Sequence, residues 1–422
     1  MSLAPHPRRP RRTALIAGAV IPLALLAACS RGSESEVVAD PAPVDSGAVS
    51  ETTGDAAATG DAETTGDAEP AAGNGRPGVE AACPDVLAEA ETAVEAARDP
   101  SPDWGGPTEG PAAQEGASIV YVAADLTNPG VTGVAAGVEE AAAVIGWEAR
   151  VIDGQGTPAG QQAAFSQALT LNPDAVIIGG FDPLTTQAQL DEAEAASIPV
   201  AGWHAVGTPG PSENPKLFTN VTTRVEDVAE ISAQWIIADS GGTAGAVIFT
   251  DASIPFAKGK SDMIQAGLEA CGSVEVLSTE NIPIPDAATR TPQAVSTLLG
   301  EYDTDWTHSV AINDLYYDNA APSLRSAGRE GTGAPFNVGA GDGSAAAFDR
   351  IRNGEFQTVT VPEPLNEQGW QLVDELNRAL AGEPATDYFA PVHVTDTTNA
   401  EDGDLYDPDS GYRDIYTGIW GT

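Results

Sequence analysis

The sequence predicts an α/β protein made of two similar lobes, each a doubly wound parallel sheet covered by helices. Three observations support this prediction. A strand–helix–strand pattern fills residues 117–156, the same alternation continues to the C-terminus, and it does so in two successive series. The chain has 422 residues and 42% hydrophobic composition, which is enough for more than one sizeable core.

The first strand–helix–strand unit sets the pattern for the rest. A β-branched apolar run at 119–123 is followed by a turn at 125–130, a helically spaced apolar stretch at 134–145 and a second apolar run at 149–152. Two parallel strands need such a crossover, and ligands of open parallel sheets lie beyond the carboxyl ends of the strands. Asn128, in the turn after the first strand, is therefore a candidate ligand contact.

Two series of apolar runs follow. The first series begins near Ile119, Ala149, Ala175 and Pro199, and the second near Gly245, Val274, Ser309, Phe336 and Gln357. A helical stretch at 224–238 connects them. Strands that alternate with amphipathic helices predict parallel sheets buried on both faces, and two series predict two lobes.

The N-terminal third of the chain differs from the body. Residues 1–28 combine four arginines with a short apolar run, which is typical of an export signal, and Leu26-Ala27-Ala28-Cys29 resembles the lipobox of bacterial lipoproteins. That resemblance implies cleavage before Cys29, acylation of its sulfur and an extracytoplasmic protein anchored to the cell membrane. Residues 29–80 are acidic and repeat TGDA, which predicts a disordered linker. Residues 81–116 predict a helix and a loop.

The net charge restricts the possible partners. The formal charge is −43, from 62 acidic and 19 basic side chains. Nucleic-acid binding needs a cationic surface, so we exclude nucleic acid as a partner. No GxSxG or GxxxxGK motif is present, and the acidic tail lacks the spacing of a calcium-binding loop. We therefore predict no enzyme activity, no cofactor and no metal site.

The motifs at the strand ends resemble those of the type I periplasmic solute-binding proteins of the ribose and galactose class. The motifs are TNPG at 127–130, GGFDP at 179–183, IPVAGW at 198–203, AIND at 311–314, GAGDGS at 339–344 and VPEPLNEQGW at 361–370. The resemblance implies a three-crossing hinge, with a first lobe of 117–220 plus 364–390 and a second lobe of 221–363 plus 391–422. It also implies a monomer that delivers a sugar, polyol or amino sugar to the permease of an ABC transporter.

The resemblance also supplies a set of candidate ligand-binding residues. They are Asn128, Phe181, Asp182, Trp203, His204, Lys258, Asn313, Asp314, Asp342 and Glu363. Trp203 and His204 stand where ribose-type members have an Asp-Arg pair, and Lys258 stands where they have an arginine. Trp203 could stack on a ligand or pack in the core, and Asp314 could bind a ligand or cap the next helix. Three carboxylates against Lys258 and His204 favour a neutral polyhydroxylated ligand over a phosphate.

Two questions stay open at this stage. Cys83 and Cys271 are the thiols that remain once Cys29 is acylated, and outside the cell they could form a disulfide or stay as two buried thiols. The same cleft could also serve a membrane sensor kinase instead of an importer. A hydrolase with a carboxylate pair is a further alternative, although no sequence motif supports it.

Overall fold

The computed structural model describes residues 73–99, 103–400 and 405–422. Within these ranges the chain forms two six-stranded sheets flanked by helices. The predicted signal peptide, Cys29 and the predicted linker up to residue 72 lie outside the described residues. The end of that linker, residues 73–80, is not the disordered chain expected: Asn74 N donates to Asp239 O at 2.8 Å, and Arg76 donates to Ser273 O at 2.9 Å and pairs with Glu275. None of the described helices is both long enough and apolar enough to span a bilayer.

The first lobe contains six strands and the helices that connect them. Its strands are β1 (Ser118–Ala123), β2 (Glu148–Asp153), β3 (Ala175–Gly179), β4 (Val200–Trp203), β5 (Gly210–Glu213) and β6 (Lys216–Val221). Its helices are α2 (Pro129–Ile145), α3 (Pro158–Thr170), α4 (Gln187–Ala195) and, from later in the chain, α10 (Leu365–Ala381) and α11 (Tyr412–Trp420). The strand order is β2-β1-β3-β4-β6-β5, parallel except for β5.

The second lobe repeats this plan. Its strands are β7 (Gly245–Thr250), β8 (Glu275–Asn281), β9 (His308–Ala311), β10 (Phe336–Gly339), β11 (Val359–Thr360) and β12 (Thr395–Asp396). Its helices are α1 (Pro84–Ala97), α5 (Val225–Asp239), α6 (Pro255–Glu269), α7 (Ala287–Tyr302), α8 (Leu315–Ser326) and α9 (Ala345–Asn353). The order is β12-β11-β10-β9-β7-β8, parallel except for β12.

Both faces of each sheet are buried, which explains why the strands are apolar at successive positions. In β1, Ile119 and Tyr121 pack in the cluster under α2, whereas Val120 and Val122 pack in the cluster under α3. The second sheet behaves in the same way, since Ile248 and Val247 of β7 belong to different clusters. Burial on both faces is characteristic of parallel sheets between helical layers. The predicted fold class is confirmed.

The last helix departs from the expected lobe boundaries. Residues 391–422 were expected in the second lobe, but only β12 pairs there, and α11 packs on the first lobe. Tyr412, Tyr416 and Trp420 are buried in the core of the first lobe together with Trp370 of α10. The prediction for this helix was wrong because the hydrophobic pattern of an amphipathic helix identifies its buried face but does not identify the lobe against which that face packs.

Two short strand features were also absent from the sequence prediction. The β5–β6 hairpin begins in the segment Gly-Pro-Ser-Glu at 210–213, which has no apolar alternation. Strand β12 consists of two residues at a sheet edge. Edge strands of this kind carry little hydrophobic pattern, so periodicity does not reveal them.

Cys83 and Cys271 form a disulfide with their Cα atoms 5.2 Å apart. Cys83 precedes α1 and Cys271 follows α6, so the bond joins the N-terminal helix to the body of the second lobe. It closes a loop across a sequence separation of 188 residues. Constraining so long a loop in the unfolded chain stabilises the folded state.

Candidate functional site

The loops that follow the strands of both sheets meet at one cleft. The space between them measures about 490 Å³ including its open mouth. The residues that line it are Asn128, Val131, Gly180, Trp203, His204, Ile254, Phe256, Ala257, Lys260, Ile284, Ile312, Asn313 and Asp342. Ligand sites of open parallel sheets lie at this end of the strands.

Five of the predicted ligand-binding residues line this cleft: Asn128, Trp203, His204, Asn313 and Asp342. Asn128 acts partly as a helix cap, because its Oδ1 accepts a hydrogen bond of 2.9 Å from Gly130 N at the start of α2. Asn313 follows β9 and is 5% exposed, and its Oδ1 makes no hydrogen bond.

Asp342 lies at the tip of a left-handed loop. Gly341, Asp342 and Gly343 have φ angles of +128°, +69° and +68°. Glycine adopts such angles without strain, so Gly341 and Gly343 allow the turn. Asp342 is the residue of the three whose backbone conformation is strained. The Oδ2 atom of Asp342 is buried without a hydrogen-bond partner. A carboxyl oxygen left unpaired in a cleft is a strong indication of a ligand contact.

Asp314 holds this loop in place and does not line the cleft. Its Oδ2 accepts hydrogen bonds from Gly343 N at 2.7 Å and Ser344 N at 3.3 Å, and its Oδ1 accepts one from Gln357 at 2.5 Å. It makes no capping bond to α8. The structure therefore assigns Asp314 neither of the two roles considered from the sequence; it positions the loop that carries Asp342.

The cation of the site is Lys260, not Lys258. Lys258 is exposed and pairs with Asp262 one turn further along α6. Lys260 is 3% exposed, and its Nζ donates to Ile312 O at 3.2 Å and Ala340 O at 2.7 Å. Two residues along a helix correspond to a rotation of about 200°, so the two lysines face opposite sides. Helical spacing could have shown this, because Lys260 is four residues from the buried Ile264.

Glu363 lies in the segment between β11 and α10, where the chain returns to the first lobe. Its two oxygens lie 2.9 and 3.0 Å from His204 Nε2, and its Oε2 also accepts a hydrogen bond of 2.6 Å from Gln368. Gln368 Oε1 in turn accepts a hydrogen bond of 2.7 Å from Trp203 Nε1. Gln368 was absent from the sequence prediction. These bonds connect the hinge segment to the end of β4.

Trp203 does not offer a free ring face. It is 2% exposed, and the His204 ring stacks on it with centroids 4.0 Å apart and planes 8° apart. On its far side His204 stacks on Phe256 of the second lobe, with centroids 4.8 Å apart. The expectation that Trp203 stacks on a ligand is therefore not met in this arrangement.

Phe181 and Asp182 do not line the cleft. Phe181 is buried in the core under α3 and α4, and the Asp182 carboxylate accepts a hydrogen bond from Leu184 N at the start of a short 3-10 helix. Of the motif GGFDP at 179–183, it is Gly180 that lines the cleft, and a glycine presents only its backbone. Among the described residues there is no cluster of three or more side chains suited to hold a metal ion.

Burial and neighbouring charges shift the pKa values of Asp342 and Glu363 in opposite directions. Burial and the nearby Asp314 raise the pKa of Asp342 to about 8, although Lys260 opposes the rise. Burial acts in the same sense on Glu363, but the charge interaction and hydrogen bond with His204, together with Lys260, outweigh it and lower the pKa of Glu363 to about 2. Burial lowers the pKa of Lys260, against the attraction of Glu363. At neutral pH the cleft therefore combines an ionised Glu363 with a mostly protonated Asp342.

We expect Lys260→Met to destabilise the protein far more than Lys258→Met. The first change leaves Ile312 O and Ala340 O without a hydrogen-bond donor and removes the positive charge that attracts Glu363. These losses should lower the free energy of unfolding by about 3–5 kcal/mol. The second removes an exposed ion pair worth less than about 1 kcal/mol. Denaturant unfolding of both variants measures the difference, and equal losses would contradict the assignment of Lys260.

The raised pKa of Asp342 predicts a pH-dependent stability. Because the folded state keeps the Asp342 proton up to about pH 8 whereas the unfolded state loses it near 3.8, the free energy of unfolding should fall as pH rises between these values. The slope from one group is at most about 1.4 kcal/mol per pH unit. Asp342→Asn should gain stability relative to wild type between pH 5 and pH 8. The exposed control Asp191→Asn should show a constant difference across this range.

The chain was compared with protein families and solved structures. The family model described as periplasmic binding protein domain matches residues 119–384. An ABC transporter solute-binding protein from Agrobacterium vitis, bound with alpha-D-tagatopyranose, is 18% identical with a TM-score of 0.61, over 68% of this chain and 97% of that one. A sequence comparison with curated proteins found no match.

Two further structures agree in fold. An ABC sugar transporter subunit from Rhodobacter sphaeroides is 22% identical with a TM-score of 0.59, over 68% of this chain and 99% of that one. A solute-binding protein from Bacillus halodurans with bound myo-inositol is 17% identical with a TM-score of 0.58, over 69% of this chain and 97% of that one. The family and these neighbours are solute-binding proteins rather than enzymes. With its two-lobed architecture and the family match over most of its length, this chain belongs to the periplasmic binding protein domain family.

Proposed function

We propose that this protein is the solute-binding component of an ABC importer, and that it captures a sugar or sugar-like polyol between its two lobes. The observation that carries the proposal is a pair of buried acceptor oxygens on residues that line one cleft. Asn313 Oδ1 and Asp342 Oδ2 have no hydrogen-bond partner. Buried acceptors left unpaired cost free energy, and a ligand rich in hydroxyl donors would pair them.

The charges of the cleft favour an uncharged ligand. The ammonium of Lys260 already faces Glu363 within the protein, and its N–H groups are bound to two carbonyl oxygens. A phosphate or carboxylate group would have to compete for this cation beside an ionised Glu363. Two amides, a mostly protonated Asp342 and an apolar wall that includes Val131 and Ile312 instead suit a polyhydroxylated carbon skeleton.

The two lobes also supply a mechanism for capture. Asn128 and His204 belong to the first lobe, whereas Asn313 and Asp342 belong to the second, so a ligand that touches both sets joins the lobes. Hinge closure around a ligand is the known behaviour of periplasmic binding proteins. A closed form presents one composite surface to a permease. Delivery to a permease is the part of the proposal that follows from the family.

The proposed location outside the cell depends on the N-terminal sequence. The export signal and the lipobox-like Leu26-Ala27-Ala28-Cys29 support a lipid anchor, and the acidic stretch up to residue 72 would connect the anchor to the body. Cys83, at the start of the described body, is fixed to the second lobe by its disulfide. The chain from the anchor would therefore join the body at the second lobe.

Ligand binding is tested by a thermal-shift screen of monosaccharides, polyols and amino sugars, followed by calorimetry. A ligand at about 100 times its Kd should stabilise the protein by about 2.7 kcal/mol. Asn313→Ala should weaken binding by about 10- to 100-fold, because it removes a buried acceptor worth about 1–3 kcal/mol. The exposed Asn353→Ala should bind as wild type does. A flat response across the whole screen would contradict the proposal.

The lipid anchor is tested by fractionation of cells that express the full chain. Wild-type protein should sediment with membranes, and Cys29→Ser should appear in the soluble or secreted fraction, because one acyl-bearing residue holds the chain to the bilayer. The matched change Ser30→Ala should leave the protein in the membrane fraction. Identical partitioning of wild type and Cys29→Ser would refute anchoring at this residue.

A further inference from the structure

Three aromatic rings form a continuous stack across the cleft. Trp203 and His204 come from the end of β4 in the first lobe, and Phe256 comes from the first turn of α6 in the second lobe. The centroid distances are 4.0 Å between Trp203 and His204 and 4.8 Å between His204 and Phe256, with interplanar angles of 8° and 29°. These separations are at or below the short end of the range for aromatic pairs, so no further layer fits between the rings.

The imidazole in the middle of the stack is firmly held. Both oxygens of Glu363 lie within 3.0 Å of His204 Nε2, and Glu363 is itself fixed by Gln368. The backbone of His204 is left-handed, with φ +48°, and its nitrogen donates to Val221 O at 3.3 Å. The side chain is 12% exposed. An imidazole fixed by both its ring and its backbone is part of the wall of the cleft.

The other aromatic surfaces are occupied as well. Trp203 is 2% exposed and belongs to the core cluster of the first lobe, and Lys260 Nζ lies 5.3 Å from the Phe256 centroid. The lobes meet closely beside the stack, since a Cβ atom added at Gly130 would lie 2.6 Å from Asp342 Oδ1. A flat sugar ring that stacks by its CH face needs an open aromatic face, and this cleft has none in its closed arrangement.

We propose that His204 is a specificity-determining residue that excludes pyranose rings and selects acyclic polyols. This inference rests on the proposed binding of a sugar-like polyol in the same cleft. An acyclic polyol has the cross-section of a single carbon chain and can lie along Asn128, Asn313 and Asp342 without separating the three rings. A chair-shaped pyranose is thicker, and it would have to displace the imidazole from Glu363, so that this buried carboxylate keeps only Gln368 as a hydrogen-bond donor.

The test compares two ligand series on wild type and two variants. The ligands are hexitols (glucitol, mannitol, galactitol) and the methyl pyranosides of the matching configurations, which cannot open. His204→Asn shortens the side chain, keeps a donor for Glu363 and tolerates the left-handed backbone, so it opens the middle layer. His204→Phe keeps a ring in that layer. Thermal unfolding verifies that each variant is folded before its Kd values are measured by calorimetry.

Wild type should bind at least one hexitol about 10-fold or more tightly than the matching pyranoside. His204→Asn should reduce this ratio by about 10-fold, through a gain in pyranoside affinity, and His204→Phe should preserve it. Wild-type protein that binds pyranosides as tightly as hexitols would overturn the role of His204 and leave the proposed function standing. Absence of binding to every ligand by the folded wild type and His204→Asn would overturn this inference, whereas the proposed function falls only if the full screen of monosaccharides, polyols and amino sugars is also flat.

Discussion

The cleft depends on one buried ammonium, that of Lys260, placed where the ends of two strands meet. It donates to the carbonyl oxygens that follow β9 and β10, and it faces the carboxylate of Glu363 on the segment that leads back to the first lobe. Burying an ammonium is costly unless its N–H groups and its charge are matched. Lys260 therefore joins the two strand ends directly and adds an attractive charge next to the segment that carries Glu363.

The same charge organises the acidic groups around it. Glu363 is kept ionised by His204 and Lys260, whereas Asp342 retains its proton into the neutral range because it is buried close to Asp314. Two carboxyl groups in one cleft thus differ in function, one an acceptor that binds the imidazole and the other able to donate or accept toward a ligand. Environment rather than residue type decides this difference.

Residues before 119 and after 384, which lie outside the family match, add connections between the lobes. Arg98, just after α1, pairs with Asp396 of β12, and its carbonyl oxygen accepts a hydrogen bond from Asn399. The chain then continues to α11, whose aromatic residues complete the core of the first lobe. The C-terminal segment therefore contacts both lobes, in addition to the crossings near residues 221–225 and 360–365. Each crossing would restrain the hinge closure proposed for this protein.

The sequence alone determined the two-lobed α/β fold, because strand and helix periods are local properties and parallel strands bury both faces. It also placed Asn128, His204, Asn313 and Asp342 at strand ends, where the sheet geometry brings them to one cleft. It could not assign α11 to a lobe or show that His204 covers Trp203. These outcomes depend on which face of a helix meets which neighbour and on contacts between residues far apart in the chain. Only the packed tertiary structure decides such contacts.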